Sequence, residues 1–599
     1  MGNIMSMASL QNKPSRNGFD LSRKNAFTAK VGELLPVMTQ EVIPGDKFKI
    51  NAEWFTRTRP VQTSAFTRIR EYYDFYFVPS RLLWRFSDNF FTQMPLSQSA
   101  TKGDFDKNPE RSSYLPYFTS EDIRKYIKSV DDLKSKHRTN ELLYNRALLT
   151  WKLLDYLDYG NILRSSLASD PQGKVFKSMY HYGDDNGGED SSYVHRNDYL
   201  HFSYNVLPLA AYQKIYSDYY RFEQWEQTNP TYYNFDFIPS SSSMKLSNIP
   251  IDNYINQAKN GSTLFDLRYC NWHKDLFHGL LPSAQYGDVS SVSTLGVTDK
   301  NGDVPMYISN LGDFDTIRGA ENAILMETSK KFDNELKPFN FSILALRQAE
   351  FLQRWKEISN SGNQSYKDQM KKHWNVDISN SRSSRCDYIG GLVGNLSISE
   401  VVNTNLSGDA KADIAGKAVG VGNGYIDFEA KEHGIFMCIY HAVPLLDYES
   451  FGTSPLNFKL KPTDFAIPEM DKVGMQLVPP EWLVNDEKVL NHLEHQGLDY
   501  LGYAPRYIDY KTAVDKVHGD FVYTTKDWVA PLSRQHLASL FMGHQDIIWS
   551  YAAMKCNPSV LDSIFAVRAN DYVSTDQLLC NVSFDFKAVR NLDVNGLPY

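Results

Sequence analysis

Residues Lys47 to Trp54 read KFKINAEW, in which Phe48, Ile50, Ala52 and Trp54 alternate with Lys47, Lys49, Asn51 and Glu53. A period of two is the mark of a strand with one buried and one wet face. The pattern returns near the C-terminus, where Val582, Phe584, Phe586 and Ala588 alternate with Asn581, Ser583, Asp585 and Lys587. Between these ends, YYDFYFV from Tyr72 and IFMCIY from Ile435 are apolar on both sides, as expected of strands covered on both faces. Aromatic residues make up 14% of the chain, a bias that favours pleated surfaces, and the reading is therefore mainly β.

Helical spacing interrupts the strands. Leu143, Ala147, Thr150, Leu154 and Leu157 recur at intervals of three and four, and Tyr212, Ile215, Tyr216 and Tyr219 follow Pro208, a residue suited to a helix start. A third stripe, Leu344, Phe351, Leu352, Trp355 and Ile358, has Asn340 as a cap. An amphipathic helix in a large chain normally faces its own sheet, so these stripes are read as core-facing. Asp184 to Ser192, Pro239 to Ser243 and Tyr286 to about Leu336 are rich in Gly, Ser, Asn or Asp and read as surface insertions. No repeat of fixed period occurs, which disfavours propellers and solenoids.

A chain of 599 residues exceeds one ordinary core, so it holds several domains or one core with long insertions. The net charge of −8 argues against coating nucleic acid with the whole surface and leaves room only for local contact. Cys270, Cys386, Cys438, Cys556 and Cys580 are odd in number and far apart, and read as buried free thiols. The N-terminus lacks a continuous apolar run, so no signal peptide is expected. The longest apolar run, GIFMCIYHAVPLL from Gly434, is shorter than a bilayer span, and a soluble chain without membrane insertion is expected.

The sequence carries no recognisable catalytic motif. GVGNG from Gly420 is not followed by the helix a phosphate loop needs and reads as a turn between strands. Neither HLEH, with His492 and His495, nor HKDLFH, with His273 and His278, has the spacing that puts two imidazoles on one metal. No GxSxG or Walker-type loop occurs. No catalytic residue and no cofactor is expected. An aromatic-rich, slightly acidic β protein also fits a carbohydrate-binding or carbohydrate-active β-sandwich, which the missing signal peptide disfavours.

Ordered segments carry more information than any motif. FTAKVGELLPVMTQEVIPGDKF from Phe27, YDFYFVPSRLLW ending at Trp84, LPLAAYQKIYSDYYR from Leu207 and HGLLPSAQYGD from His278 are followed by FSILALRQAEFLQRW from Phe341 and YIGGLVGNLSISEVV from Tyr388. EHGIFMCIYHAV from Glu432, LGYAPRYIDYK from Leu501 and DQLLCNVSFDFKAVRNLDVNGLPY from Asp576 complete the series. In this order the chain resembles the microvirus major capsid family, its gokushovirus-like and Bacteroides-phage branches most closely, over roughly two-thirds of its length. Leu96 to Lys136 and Gly160 to His195 depart from that pattern.

The resemblance implies a single eight-stranded antiparallel jelly-roll barrel with long helix- and loop-containing insertions, at about 90–205 and 286–336 within a domain spanning 27–599. It implies about sixty copies closing into a T=1 icosahedral shell around circular single-stranded DNA. It also implies minor virion and DNA-packaging proteins as partners, a host cell-surface receptor met by surface loops, and location in the virion after assembly in the bacterial cytoplasm. Residues 1–26 then read as a basic N-terminal arm, whose Lys13, Arg16, Arg23 and Lys24, with Lys30 beyond it, are candidate DNA contacts. Tyr219, Tyr220 and Trp225 are candidate interface anchors, because aromatics are enriched where large contacts desolvate. The insertion from Tyr286 to about Leu336 is expected to project toward the host.

Overall fold

The computed structural model describes residues 15–92, 115–132, 146–160, 203–285, 343–376, 384–402, 414–532 and 555–594. Short gaps fall at 62–64, 227, 238–248, 260, 361–365, 451, 473, 486, 488–489, 492–499, 562–563 and 566–575. The chain divides into two compact units, the first formed by Met1–Pro282 with Ser379–Tyr599 and the second by Ser283–Ile378.

The first unit is organised by one nine-stranded sheet. Its strands are β1 (Asn17–Asp20), β2 (Arg23–Ala29), β3 (Leu35–Val42), β4 (Lys47–Thr58), β5 (Ile69–Pro79), β6 (Asp387–Val402), β7 (Ile414–Glu429), β8 (Gly434–Pro444) and β9 (Leu578–Arg590). They lie in the order β1–β9–β4–β7–β6–β5–β8–β3, all antiparallel, and β2 also pairs with β9. Strands from the two ends of the chain are thus neighbours, with Phe48 opposite Ala588 and Ala52 opposite Phe584. The alternation seen in the sequence becomes a strict in-and-out burial pattern along β4 and β9. β8 is buried at every position because both of its faces are covered.

The sheet curls until its inner faces meet. Phe48 on β4 lies 5.7 Å edge-on to Phe436 on β8, although β7, β6 and β5 intervene in the sheet. Phe75 on β5 meets Phe584 on β9 at 6.4 Å, and Phe27 on β2 meets Tyr440 on β8 at 5.0 Å. Such aromatic pairs are worth about 0.5–1.5 kcal/mol each beyond the area they bury. The two ends of the sheet, β2 and β3, are joined by side chains and not by a ladder: Arg23 donates to the Thr39 carbonyl at 3.1 Å and Asn25 to the Val37 carbonyl at 2.7 Å. The closed eight-stranded barrel expected from the resemblance is therefore not what the described residues form. They form one curled antiparallel sheet with a side-chain seam, because β1 and β2 share a single edge of β9. The break between them is held by Ser22, whose hydroxyl accepts from the Phe586 amide at 3.0 Å.

A second correction concerns GVGNG, which is not a turn but lies within β7. A Cβ at Gly422 would overlap the Trp54 indole, and one at Gly424 the Leu392 side chain. The glycines alternate because large side chains from the strands opposite fill the space their own would need.

Helices pack on the sheet and on one another. They are α1 (Ser120–Asp132), α2 (Arg146–Tyr156), α3 (Leu207–Ile215) and α4 (Ile251–Ala258), and α3 runs on through a wider turn at Tyr216–Tyr220. Pro208 sits at the start of α3 as expected. α2 is tied to both chain ends through Lys152, whose ammonium lies 2.6 Å from Glu33 and 3.0 Å from Asp576, all three groups nearly inaccessible to water. Burial works to discharge Lys152, but Asp576 and Glu33 overcome it and hold it protonated. Removing one partner of such a cluster strands an unpaired buried charge.

In the second unit, α5 (Ile343–Asn360) and α6 (Tyr366–Trp374) are joined where His373 stacks on Trp355 at 5.4 Å. The expected core-facing stripe of α5 is corrected: Phe351, Leu352 and Trp355 are exposed. Helical period reports that one face is apolar, not that the chain covers it. Leu143, Asn340, His492, His495 and the three expected surface insertions lie outside the described residues. All five cysteines are buried free thiols, as expected.

Placing a side chain at Gly422 should lower stability. Gly422→Ala is expected to cost about 1–3 kcal/mol by overpacking, read from urea midpoints. Trp54→Leu should recover part of the loss in a double-mutant cycle, while Gly18→Ala, with nothing within 4 Å, should be neutral.

Candidate functional surfaces

The outer face of the sheet falls into two parts of different chemistry. Over β5 and β8 it is covered by α3 and the turn that follows it. Period two sends Tyr73, Phe75 and Phe77 inward, so Tyr72, Asp74 and Tyr76 meet this cover. Tyr220 donates to Asp74 at 3.0 Å and Tyr76 to Tyr220 at 2.9 Å. Tyr388 reaches the other Asp74 oxygen at 3.3 Å. His441 stacks on Tyr72 at 4.8 Å, and its Nδ1 lies 3.7 Å from Asp74.

Burial pushes the Asp74 carboxyl up to about 6, against the tyrosine hydrogen bonds that pull it down. Burial, with His273 nearby, pushes His441 down to about 3 and keeps it neutral. Asp74, Tyr76, Tyr220 and Tyr388 are spent on one another, and the network fastens α3 to the sheet. Among the described residues, no group of three His, Cys, Asp or Glu side chains is placed to hold a metal ion, and no helix is long and apolar enough to cross a membrane.

Over β6, β7, β4 and β9 the outward side chains are largely exposed, Val421 by 70% and Tyr425 by 53%. Val393, Val419, Leu579 and Val589 share this exposure. Between them stand charges of both signs. Lys47 pairs with Glu429 at 3.0 Å, and Lys587 with Asp20 at 2.6 Å and Asp585 at 3.0 Å. Pairs this exposed contribute little stability. Lys24, Lys49 and Arg57 lie on the same outward face in register, Lys24 opposite Ser583, Lys49 opposite Lys587 and Arg57 opposite Leu579.

The residues singled out in the sequence are distributed as follows. Lys13 lies outside the described residues. Arg16 is exposed and donates to the Gly45 carbonyl at 3.2 Å. The stretch expected as an arm over 1–26 is strand from Asn17 to Asp20 and again from Arg23. Arg23 spends its guanidinium on the seam, Lys24 faces outward from β2, and Lys30 is half-buried beside Glu33 and Asp576. Tyr219, Tyr220 and Trp225 are engaged within the chain: Tyr219 donates to the Cys386 carbonyl at 2.6 Å, Trp225 to the Leu280 carbonyl at 2.8 Å, and Tyr220 to Asp74. Sequence reading passed over Lys49, Arg57 and Tyr425. The wet face of β4 was visible in its alternation, but which wet faces share one surface depends on strand order.

Comparison with known proteins follows the whole length of the chain. The model of the capsid protein (F protein) family matches residues 8–142 and 196–599. The capsid protein VP1 of Chlamydia phage 1 is 22% identical over 619 aligned positions, covering 97% of this chain and 95% of that protein. The capsid protein VP1 of Bdellovibrio phage phiMH2K is 21% identical over 625 positions, covering 98% and 95%.

The Asp74 network gives a signed dependence on pH. A carboxyl raised from 3.8 to about 6 on folding contributes stability below pH 4 that is lost as pH rises through 6. The advantage of Asp74→Asn over the parent should therefore grow by about 2.4 kcal/mol between pH 4 and pH 7, at 1.36 kcal/mol per unit. His441 is common to both proteins and cancels. Urea melts at the two pH values measure it, and an advantage independent of pH would contradict it.

Proposed function

Because this chain belongs to the phage capsid protein (F protein) family, we propose that it is the major capsid protein that self-assembles into a small icosahedral shell enclosing a circular single-stranded DNA genome. Its role is structural and it catalyses no reaction. The observation that carries this reading is the family match over nearly the whole chain. An interrupted jelly roll, drawn out here into a curled sheet with a side-chain seam, suits a shell protein because it is a rigid block from which insertions can reach neighbours. Closed symmetry then needs several distinct contact surfaces on each copy. The insertion from Tyr286 to about Leu336 serves recognition of the host cell surface. Minor virion and packaging proteins act with the chain during assembly in the bacterial cytoplasm.

DNA contact on this reading is local. The cations Lys13, Arg16 and Lys24, together with Lys49 and Arg57 on the open face of the sheet, meet phosphates, while Tyr425 offers a ring for a base to stack on. Arg23 and Lys30 are committed elsewhere.

Two outcomes are expected. Chain produced with its partner proteins should sediment as closed particles of roughly 4 MDa, for about sixty copies, and appear as shells by electron microscopy; a stable monomer in every physiological buffer would defeat the reading. Deleting residues 1–26 would remove β1 and part of β2, so charge is better neutralised in place: converting Lys13, Arg16 and Lys24 to Gln should flatten the log–log salt dependence of single-stranded DNA binding by about 2, at roughly 0.7 per phosphate contact. An unchanged slope would exclude these three.

A further inference from the structure

The stretch from Pro455 to Val478 runs as three short turns, each opened by a proline: Pro455–Phe458, Pro462–Asp464 and Pro468–Met470. It ends in a strand, Met475–Val478, paired with Gly502–Pro505. Polar contacts fasten it along its length. Asp464 accepts from the amides of Leu460 and Lys461 at 3.0 and 2.8 Å. Lys459 pairs with Asp509 and stands 3.7 Å over the Tyr510 ring. Lys511 pairs with Asp471 at 2.6 Å, and Gln476 accepts from the Tyr507 amide at 2.8 Å.

Against this fixed frame the apolar side chains face outward. Leu460 is exposed by 87% and Leu456 by 65%, and Phe458, Phe465, Met470 and Leu477 each by more than a third. Lys459 and Asp509 are turned inward, while the apolar side chains stand in water beside exposed charges of both signs. At about 200 Å² for a fully exposed large side chain, these six present roughly 600 Å² of apolar surface. The sum is of the same order as the about 800 Å² that each partner gives to a stable protein interface.

We propose that the stretch from Pro455 to Val478 is a subunit-docking arm whose occupant is a second copy of this chain. The proposal rests on the shell reading and names a surface that builds it. Charge selects the occupant: Lys461 and Lys472 stand among Asp464, Glu469 and Asp471, a balance that suits another surface of this mixed-charge chain and not the phosphates of DNA, which need concentrated cations. The prolines and ion pairs fix the arm before docking, so little ordering cost falls on assembly. In a closed ring or shell such a contact is heterologous, the arm of one copy meeting a different surface of the next.

Thiol labelling tests the assignment, because the chain's own five cysteines are buried and give little background. Leu460→Cys is introduced, particles and dissociated subunits are separated by sedimentation, and both are treated with a maleimide–polyethylene glycol. Labelling should be at least about ten times slower in particles than in subunits. Phe458→Asp with Leu460→Asp should leave the thermal midpoint of the subunit unchanged, since both side chains are exposed, and reduce particle yield by a similar factor. Particles that form normally with the double variant and label freely at the introduced thiol would overturn the arm and leave the shell reading standing. A parent chain that forms no particles with its partner proteins would overturn both.

Discussion

The molecule depends on a clamp across the inside of its folded sheet. Trp54 on β4 lies 4.9 Å from Tyr73 on β5, and its indole N–H donates to the Glu71 carboxylate at 2.8 Å. Thr56 donates to the other Glu71 oxygen at 2.7 Å. β4 and β5 are not neighbours, since β7 and β6 lie between them. The clamp can close only because those two strands carry glycine where it passes: a Cβ at Gly394 or Gly420 would come within 3 Å of Glu71. Glu71 is buried and has no cation among its partners in the described residues, so burial raises its pKa against the pull of Thr56, Trp54 and Tyr440. A carboxyl kept there despite its desolvation cost fixes register where apolar packing alone would allow slippage.

From that clamp the rest follows outward. Curling brings the phenylalanines of β4, β5, β7, β8 and β9 together and leaves β2 and β3 close enough for side chains to close the seam. It also sets apart two outer faces. The face over β5 and β8 receives α3 and spends Asp74, His441 and the tyrosines on holding it, whereas the face over β6, β7, β4 and β9 keeps its valines, Tyr425 and lysines in water. The proposed shell needs both, a block that does not deform and surfaces left unsatisfied until a neighbour arrives. The arm from Pro455 to Val478 carries the second property furthest, because its apolar groups are exposed while its frame is already fixed.

Local pattern made much of this legible. The alternation of Lys47 to Trp54 and of Asn581 to Lys587 is a property of consecutive residues, and it placed two strands and their buried faces. Pro208 and the spacing from Tyr212 to Tyr219 placed a helix, and the two-sided apolar runs at Tyr72 and Ile435 placed strands covered on both faces. The ordered landmarks pointed to the capsid family, which composition and spacing alone did not reach. Where reading went astray, the missing quantity was always a distant neighbour. GVGNG looked like a turn because glycine is usually needed for backbone freedom; here it is needed because Trp54 and Leu392 occupy the space from other strands. The stripe of α5 looked like core because period reveals an apolar face but not its cover.

The sequence by itself determined the strands β4, β5, β8 and β9, the burial of the five thiols and the family, because each is written in neighbouring residues or in the order of segments along the chain. Only the tertiary structure decided that the two ends of the chain share a sheet edge, that Arg23 belongs to a seam while Lys24 faces out, and that Tyr219, Tyr220 and Trp225 serve the chain's own packing. It also decided which wet faces form one surface. The physical reason is that burial and charge pairing are set by contacts between residues hundreds of positions apart, and the sheet order that creates those contacts is not encoded in any local period.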